Sequence, residues 1–170
     1  ERLHHYNNYF AKMNAEGKVF KPGPALGLYI SLVKLRKILP TEVIQLRFGM
    51  STRFNNDSEG ATTLIISLDH YLLNNENEDF VPDYISFTGG LEQASSHKWQ
   101  GADIVFTSSD TSAKDYHKRG VAATHVQNIS ELQNLKMFNN RNSKINFIFD
   151  FDGVVVDASS EMIYQAAKQV

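Results

Sequence analysis

The sequence predicts an α/β domain, a three-layer arrangement in which a parallel β-sheet is covered by helices on both faces. Three observations predict it. Short apolar, β-branched runs alternate with stretches of helical periodicity, which is the pattern of βαβ units. The runs end in hydroxyl, glycine or aspartate residues, as in Met50-Ser51-Thr52, Phe87-Thr88-Gly89-Gly90, Phe106-Thr107-Ser108 and Phe149-Asp150. Finally, 170 residues with 42% hydrophobic and 21% charged side chains suffice to bury one core.

The elements follow in order. Leu3, Tyr6, Phe10 and Met13 recur at helical spacing over 1–16, and Gly17 supplies the stop. Pro22-Gly23-Pro24 forms a turn leading into a helix over 25–39. Two apolar rows, Leu28/Leu32/Leu35/Leu39 and Leu26/Ile30/Val33, give that helix its buried face, and Pro40 closes it. Residues 42–50 read as a strand that delivers Ser51 and Thr52 at its carboxyl end. A second helix over 61–73 buries Leu64, Ile65, Leu68, Tyr71 and Leu72, and 74–79 is a polar connection. Strands over 83–87 and 102–106, a helix over 111–119 stopped by Gly120, and a strand over 121–126 complete this part. The asparagine-rich stretch 127–144 reads as a linker, and residues 145–149 as a buried strand ending at Asp150.

Composition excludes several classes of function. With no cysteine there is no disulfide framework, thiolate metal site or cysteine nucleophile. A net charge of -2 gives no electrostatic reason to expect nucleic acid or a membrane surface as a partner, while nucleotide-sized ligands remain open. No apolar run approaches the roughly 20 residues that span a bilayer, and no basic-then-apolar leader opens the sequence, so the expected location is cytoplasmic. The six histidines lack metal-ligand spacing and receive no role. The start at Glu1 and the stop at Val170, inside what reads as a continuing helix, suggest a fragment.

The chemistry concentrates at Asp150-Phe151-Asp152-Gly153, preceded by the apolar strand and followed by Val154-Val155-Val156. Strand periodicity puts Asp150 and Asp152 on one side of the chain, so two carboxylates emerge together at the sheet's carboxyl edge. One carboxylate there can attack a phosphoryl group, and the other can protonate the leaving oxygen and then help activate water. A Mg²⁺ held by carboxylate and backbone oxygens would offset the crowded negative charge. A bare Asp-x-Asp is also what an acidic turn or part of a Ca²⁺ loop looks like. The strand before it and the glycine after it favour the catalytic alternative, and the whole pattern resembles the motif of haloacid-dehalogenase-type phosphatases, whose sheet is Rossmann-like.

A second resemblance narrows the family. Pro22-Gly23-Pro24-Ala25-Leu26, Phe87-Thr88-Gly89-Gly90, Lys98, Phe106-Thr107-Ser108-Ser109-Asp110 and Gly120-Val121-Ala122-Ala123-Thr124 stand in the order and approximate spacing of the cytosolic type-I 5′-nucleotidases. No single motif is specific, but their order is, and it covers most of residues 1–157. The resemblance implies a Mg²⁺-dependent enzyme hydrolysing nucleoside 5′-monophosphates, AMP among them. It also implies roles for individual residues. Asp150 would be the nucleophile and Asp152 the acid/base, and both would bind Mg²⁺ with Asp110 from the Ser109-Asp110 turn. Ser51 or Thr52 would bond the phosphoryl oxygens, and Lys98 would offset charge on nucleophile and phosphate.

Other residues carry paired readings. Thr88, Gly89 and Gly90 form either a phosphate-approaching loop or a plain tight turn. Arg53 and Asn55 either contact substrate or solvate their loop. Lys98 beside Trp99 is either catalytic or an amphipathic surface pair. At the level of the whole activity, the alternatives are another small-molecule phosphatase of the superfamily and a non-catalytic nucleotide-binding fragment.

Two architectures fit the motif order. In one, the chain holds the first of two similar halves plus the opening of the second. In the other, the elements form one sheet in permuted order, with the strand ending at Asp150 in the central slot and Ser51, Lys98 and Asp110 converging on it. The second uses every element and is the expected arrangement.

Overall fold

The computed structural model describes residues 2–42, 44–73, 80–126, 144–151 and 153–157, with side chains from residue 7 onward. Asp152, the connections expected over 74–79 and 127–143, and the helix expected towards residue 170 lie outside the described residues. The helices are α1 (Arg2–Ala15), α2 (Leu26–Ile38), α3 (Glu59–Leu68, continued by a π-helical turn Asp69–Leu73), α4 (Gln93–Trp99) and α5 (Asp110–Lys118). The strands are β1 (Lys21–Pro22), β2 (Gln45–Thr52), β3 (Tyr84–Phe87), β4 (Ile104–Thr107), β5 (Ala122–His125), β6 (Lys144–Asp150) and β7 (Val156–Asp157). Five of these strands form a parallel sheet in the order β3-β2-β6-β4-β5, and β1 and β7 form a separate antiparallel ribbon. The fold is thus α/β, a five-stranded parallel sheet flanked by helices. No helix among the described residues is long and apolar enough to cross a membrane.

Strand β6 occupies the middle of the sheet because both its faces are apolar. Its alternate residues Phe147 and Phe149 enter the larger core with Phe10, Tyr29, Phe48, Leu64 and Phe106, contributed by α1, α2, α3 and the neighbouring strands. Ile148 points the other way, into a smaller core with Ala94, Val105, Ala113 and Tyr116, beneath α4 and α5. A strand buried on both faces needs such a continuous apolar run. Aromatic rings carry much of the larger core. Phe106 stacks on Phe149 at 4.6 Å between centroids, and Tyr29 meets Phe149 edge-on at 5.3 Å.

Several boundaries differ from the sequence reading. Strand β2 runs on through Ser51 and Thr52 rather than stopping before them, and Lys144 belongs to β6 rather than to the linker. The buried stripe of α2 is Leu26, Tyr29 and Val33, whereas Leu35 from the leucine row is exposed. Tyr29 wins its place because its ring packs on Phe48 and Phe149 while its hydroxyl donates to the Phe80 carbonyl at 2.6 Å. Helix α3 starts earlier than predicted because Ser58 caps it, accepting from the Ala61 N–H at 3.1 Å. Helix α4 and the β1–β7 ribbon were not predicted at all.

Candidate active site

Period-two alternation along the three middle strands selects which side chains meet at the carboxyl edge. In β6, Asp150 follows Ile148 on the α4/α5 face; in β4, Thr107 follows Val105 onto that same face. In β2, Ser51 stands in register with Asp150, and Phe106 pairs with Phe149, which brings Thr107 beside Asp150. The Thr107 hydroxyl donates to Asp150 Oδ2 at 3.3 Å. Ser51, Thr52 and Thr107 are all buried. A carboxylate at the end of the central strand is therefore flanked by a hydroxyl on each neighbouring strand.

Helices α4 and α5 cover this edge. Gln93, buried at the start of α4, donates through its amide nitrogen to Ser51 Oγ at 3.3 Å and accepts from Arg53 Nε at 3.4 Å. Ser109 caps α5 by accepting from the Ser112 N–H at 3.2 Å, which directs the helix's positive end to the site. Asp150, Thr52, Arg53, Ser108, Ser109 and Ser112, with the Phe54 ring, line a cleft of about 200 Å³. Among the described residues it combines a carboxylate, a guanidinium, several hydroxyls and a helix N-terminus, a set that suits an oxyanion held beside a carboxylate.

The loops leaving the strands are pinned to one another. The Phe151 N–H donates to the Ser51 carbonyl at 2.7 Å, and Gly153 closes the following turn by donating to the Val156 carbonyl at 2.7 Å. Gly153 has φ +76°, and a Cβ there would stand 2.8 Å from Ser108 Oγ, so glycine alone suits this position. The Pro22-Gly23-Pro24-Ala25 turn braces the same loop from behind. Gly23 and Ala25 donate to the carbonyls of Val155 and Val154, each at 2.8 Å, and a Cβ on Gly23 would collide with the Val154 carbonyl oxygen.

Thr88 donates twice to the Thr52 carbonyl, through its N–H at 2.9 Å and its hydroxyl at 3.0 Å, and the Gly89 N–H reaches the Phe54 carbonyl at 3.3 Å. An added Cβ at Gly89 would meet the Asn55 side-chain oxygen at 2.6 Å. Thr88, Gly89 and Asn55 therefore brace the loop that carries Arg53, and none of them lines the Asp150 cleft. Gly90 lines a second cleft next to it, together with Arg53.

The structure does not bring Lys98 to this edge. Lys98 lies exposed in the last turn of α4, and its carbonyl accepts from the Gly101 N–H at 3.0 Å. The Asn146 side chain donates to the carbonyls of Gln100 and Gly101 at 3.0 and 3.3 Å, so this end of the helix sits against the beginning of β6. Asn146 is four residues upstream of Asp150, roughly 13 Å along an extended strand. The unpredicted helix α4 thus carries the lysine to the opposite end of the sheet, which corrects the expected convergence; Arg53 is the cation at Asp150's cleft. Asp110 begins α5 with its side chain exposed and outside the cleft lining. Among the described residues no three His, Asp or Glu side chains group as a metal site.

Behind the edge, His97 and Tyr116 form a buried pair, with Tyr116 Oη 2.7 Å from His97 Nδ1. Burial pushes the His97 imidazole down to about 4, and it raises Tyr116, reinforced by the negative charge of Asp150 and opposed by Arg53. The direction of this bond follows the tautomer of the neutral imidazole, and His97 Nε2 is buried with no hydrogen-bond partner among the described residues. No family model, curated protein or solved structure matches this chain.

A bigger cavity, about 810 Å³, lies at the amino ends of the strands beside Arg47, Gln100, Asp103 and Lys144, away from Asp150. Size alone does not mark the chemistry here, because ligands of open α/β sheets bind at the carboxyl ends of the strands. Gln93 and Ser112 escaped the sequence reading. Neither lies in a motif, and both become recognisable only once α4 and α5 are seen to begin at this edge.

Proposed function

We propose that the chain is a phosphomonoesterase of the haloacid-dehalogenase type that uses Asp150 as nucleophile. The observation that carries this is the side-by-side placement of Ser51, Asp150 and Thr107 on one face at the carboxyl end of the central strand. A phosphate monoester seated in the cleft has its oxygens held by Arg53, by the serine and threonine hydroxyls, and by the amino end of α5. An Asp150 oxygen attacks phosphorus as the bond to the ester oxygen breaks, and the leaving alcohol takes a proton, a role the sequence motif assigns to Asp152. Water then attacks the phosphorus of the aspartyl phosphate, which frees Asp150 and releases phosphate. Thr107 and the β2 register fix the Asp150 carboxylate for attack.

The donors at this edge are hard oxygens, which suits Mg²⁺, an ion bound through one or two carboxylates plus the substrate phosphate. Asp150, with Asp152 by the motif, would hold it. When bound it would offset the negative charge of phosphate and carboxylates. The choice of nucleoside 5′-monophosphates as substrates rests on the order of the sequence motifs.

Asp150→Asn tests the proposal. Mg²⁺-dependent release of phosphate from AMP is expected to fall by roughly three orders of magnitude. Unaltered release would remove Asp150 as nucleophile. The position of Lys98 supports a second reading, a chain that binds a phosphorylated ligand without turning it over. Its signature would be AMP binding by the unsubstituted chain with no phosphate release.

A further inference from the structure

Arg53 supplies the positive charge at the Asp150 cleft, yet it is exposed and stands on the loop after β2. Among the described residues its guanidinium makes a single hydrogen bond, from Nε to Gln93 Oε1 at 3.4 Å, and no ion pair. Gln93 is 5% exposed and is itself fixed, donating from Nε2 to Ser51 Oγ at 3.3 Å. We infer that Gln93 is a positioning residue of the proposed phosphoryl site: it holds Arg53 by Nε, leaves both Nη groups to the oxyanion, and leaves the positive charge uncancelled. The inference rests on the assignment of the phosphoryl group to the Asp150 cleft.

The clefts fix the side from which Gln93 acts. Arg53 lines both the Asp150 cleft and a neighbouring one of about 240 Å³, whereas Gln93 lines only the neighbour. The carboxamide therefore meets the guanidinium from outside the Asp150 cleft and acts on the phosphoryl group only through Arg53. An arginine held at Nε keeps the end-on fork of its two Nη groups, which matches two oxygens of a phosphate. Charge explains why the holding group is an amide. Asp150, Glu92 and Asp115 all border these clefts. Glu92 accepts from Arg119 at 2.8 Å and Asp115 from Lys118 at 3.1 Å, and none of the three forms an ion pair with Arg53. A carboxylate at position 93 would offer Nε an ionised acceptor, which offsets the guanidinium charge that the phosphate needs, and it could not donate to Ser51. Glutamine uses a donor and an acceptor at once and brings no charge, so its burial is satisfied.

A double-mutant cycle read by calorimetric titration of inorganic phosphate into the full chain, with Mg²⁺ present, tests this. Arg53→Ala is expected to weaken phosphate binding by roughly tenfold or more, and Gln93→Met, which keeps the length of the side chain, by roughly fivefold. Gln93→Asn keeps the amide but draws it back by one methylene, and should match the methionine variant. In the Arg53→Ala background Gln93→Met should cost less than about twofold more, because its effect runs through the guanidinium. Gln93→Glu should weaken binding at least as much as Gln93→Met, an order that a merely structural role would reverse. If the Gln93 variants leave affinity unchanged, or lower it equally in both backgrounds, or if Gln93→Glu binds as tightly as the unsubstituted chain, the inference is overturned and the Asp150 cleft stands. If the unsubstituted chain binds no phosphate, or Arg53→Ala leaves its affinity unaltered, the assignment of the Asp150 cleft fails, and the role of Gln93 with it.

Discussion

Single residues at the carboxyl edge combine chemical and structural duties, and two of them give direct tests. Burial lowers His97 to about 4 from an ordinary 6.5. Below about pH 6.5 the unfolded chain binds a proton that the folded imidazole refuses, so its contribution is complete above that pH. It declines as pH falls towards 4, by about 3 kcal/mol. The urea midpoint is expected to drop between pH 7 and pH 4.5, and His97→Gln should flatten part of that drop. Gly23→Ala should cost about 1–3 kcal/mol, read by urea denaturation, because the new methyl group collides with the backbone behind the aspartate loop. The sequence displayed Asp150, Ser51 and the proline-glycine turn plainly, since strand periodicity and strand-end hydroxyls are local signals. It did not display Gln93, whose importance comes from two side chains supplied by strand β2 and the loop after it.

At the scale of elements, the strands of the parallel sheet were legible, whereas helix α4 and the β1–β7 ribbon were not. The strands that build the sheet announce themselves by apolar runs that stop at polar turns, whereas Gln93–Trp99 has too few apolar residues to show a period. That omission also explains the misplaced lysine: a helix descending from the carboxyl edge ends at the other side of the sheet. Helix α5 is anchored by its cap, so Ser109→Ala is expected to destabilise it by about 1 kcal/mol. Faster amide hydrogen exchange in Asp110–Lys118 would register that loss. The same substitution takes a hydroxyl out of the cleft, so phosphate affinity should fall in parallel.

For the whole molecule, the decisive fact is that β6, the last long strand among the described residues, is the middle strand in space. A chain ending at residue 143 lacks β6, which leaves β2 and β4 without their shared partner and opens both cores. Such a chain is expected to show no cooperative urea transition by far-ultraviolet circular dichroism, whereas the full chain shows one. Motif order alone left two arrangements open, because only long-range pairing determines which strand lies between which, and no local pattern encodes it. The position of β6 also bears on how the protein is made. Strands β2 and β6 pair across about 100 residues of sequence, a separation that slows folding. During synthesis β2 and β4 must wait with bare inner edges until β6 leaves the ribosome, so the nascent chain is most prone to aggregate in that interval, and holdase chaperones should improve its yield.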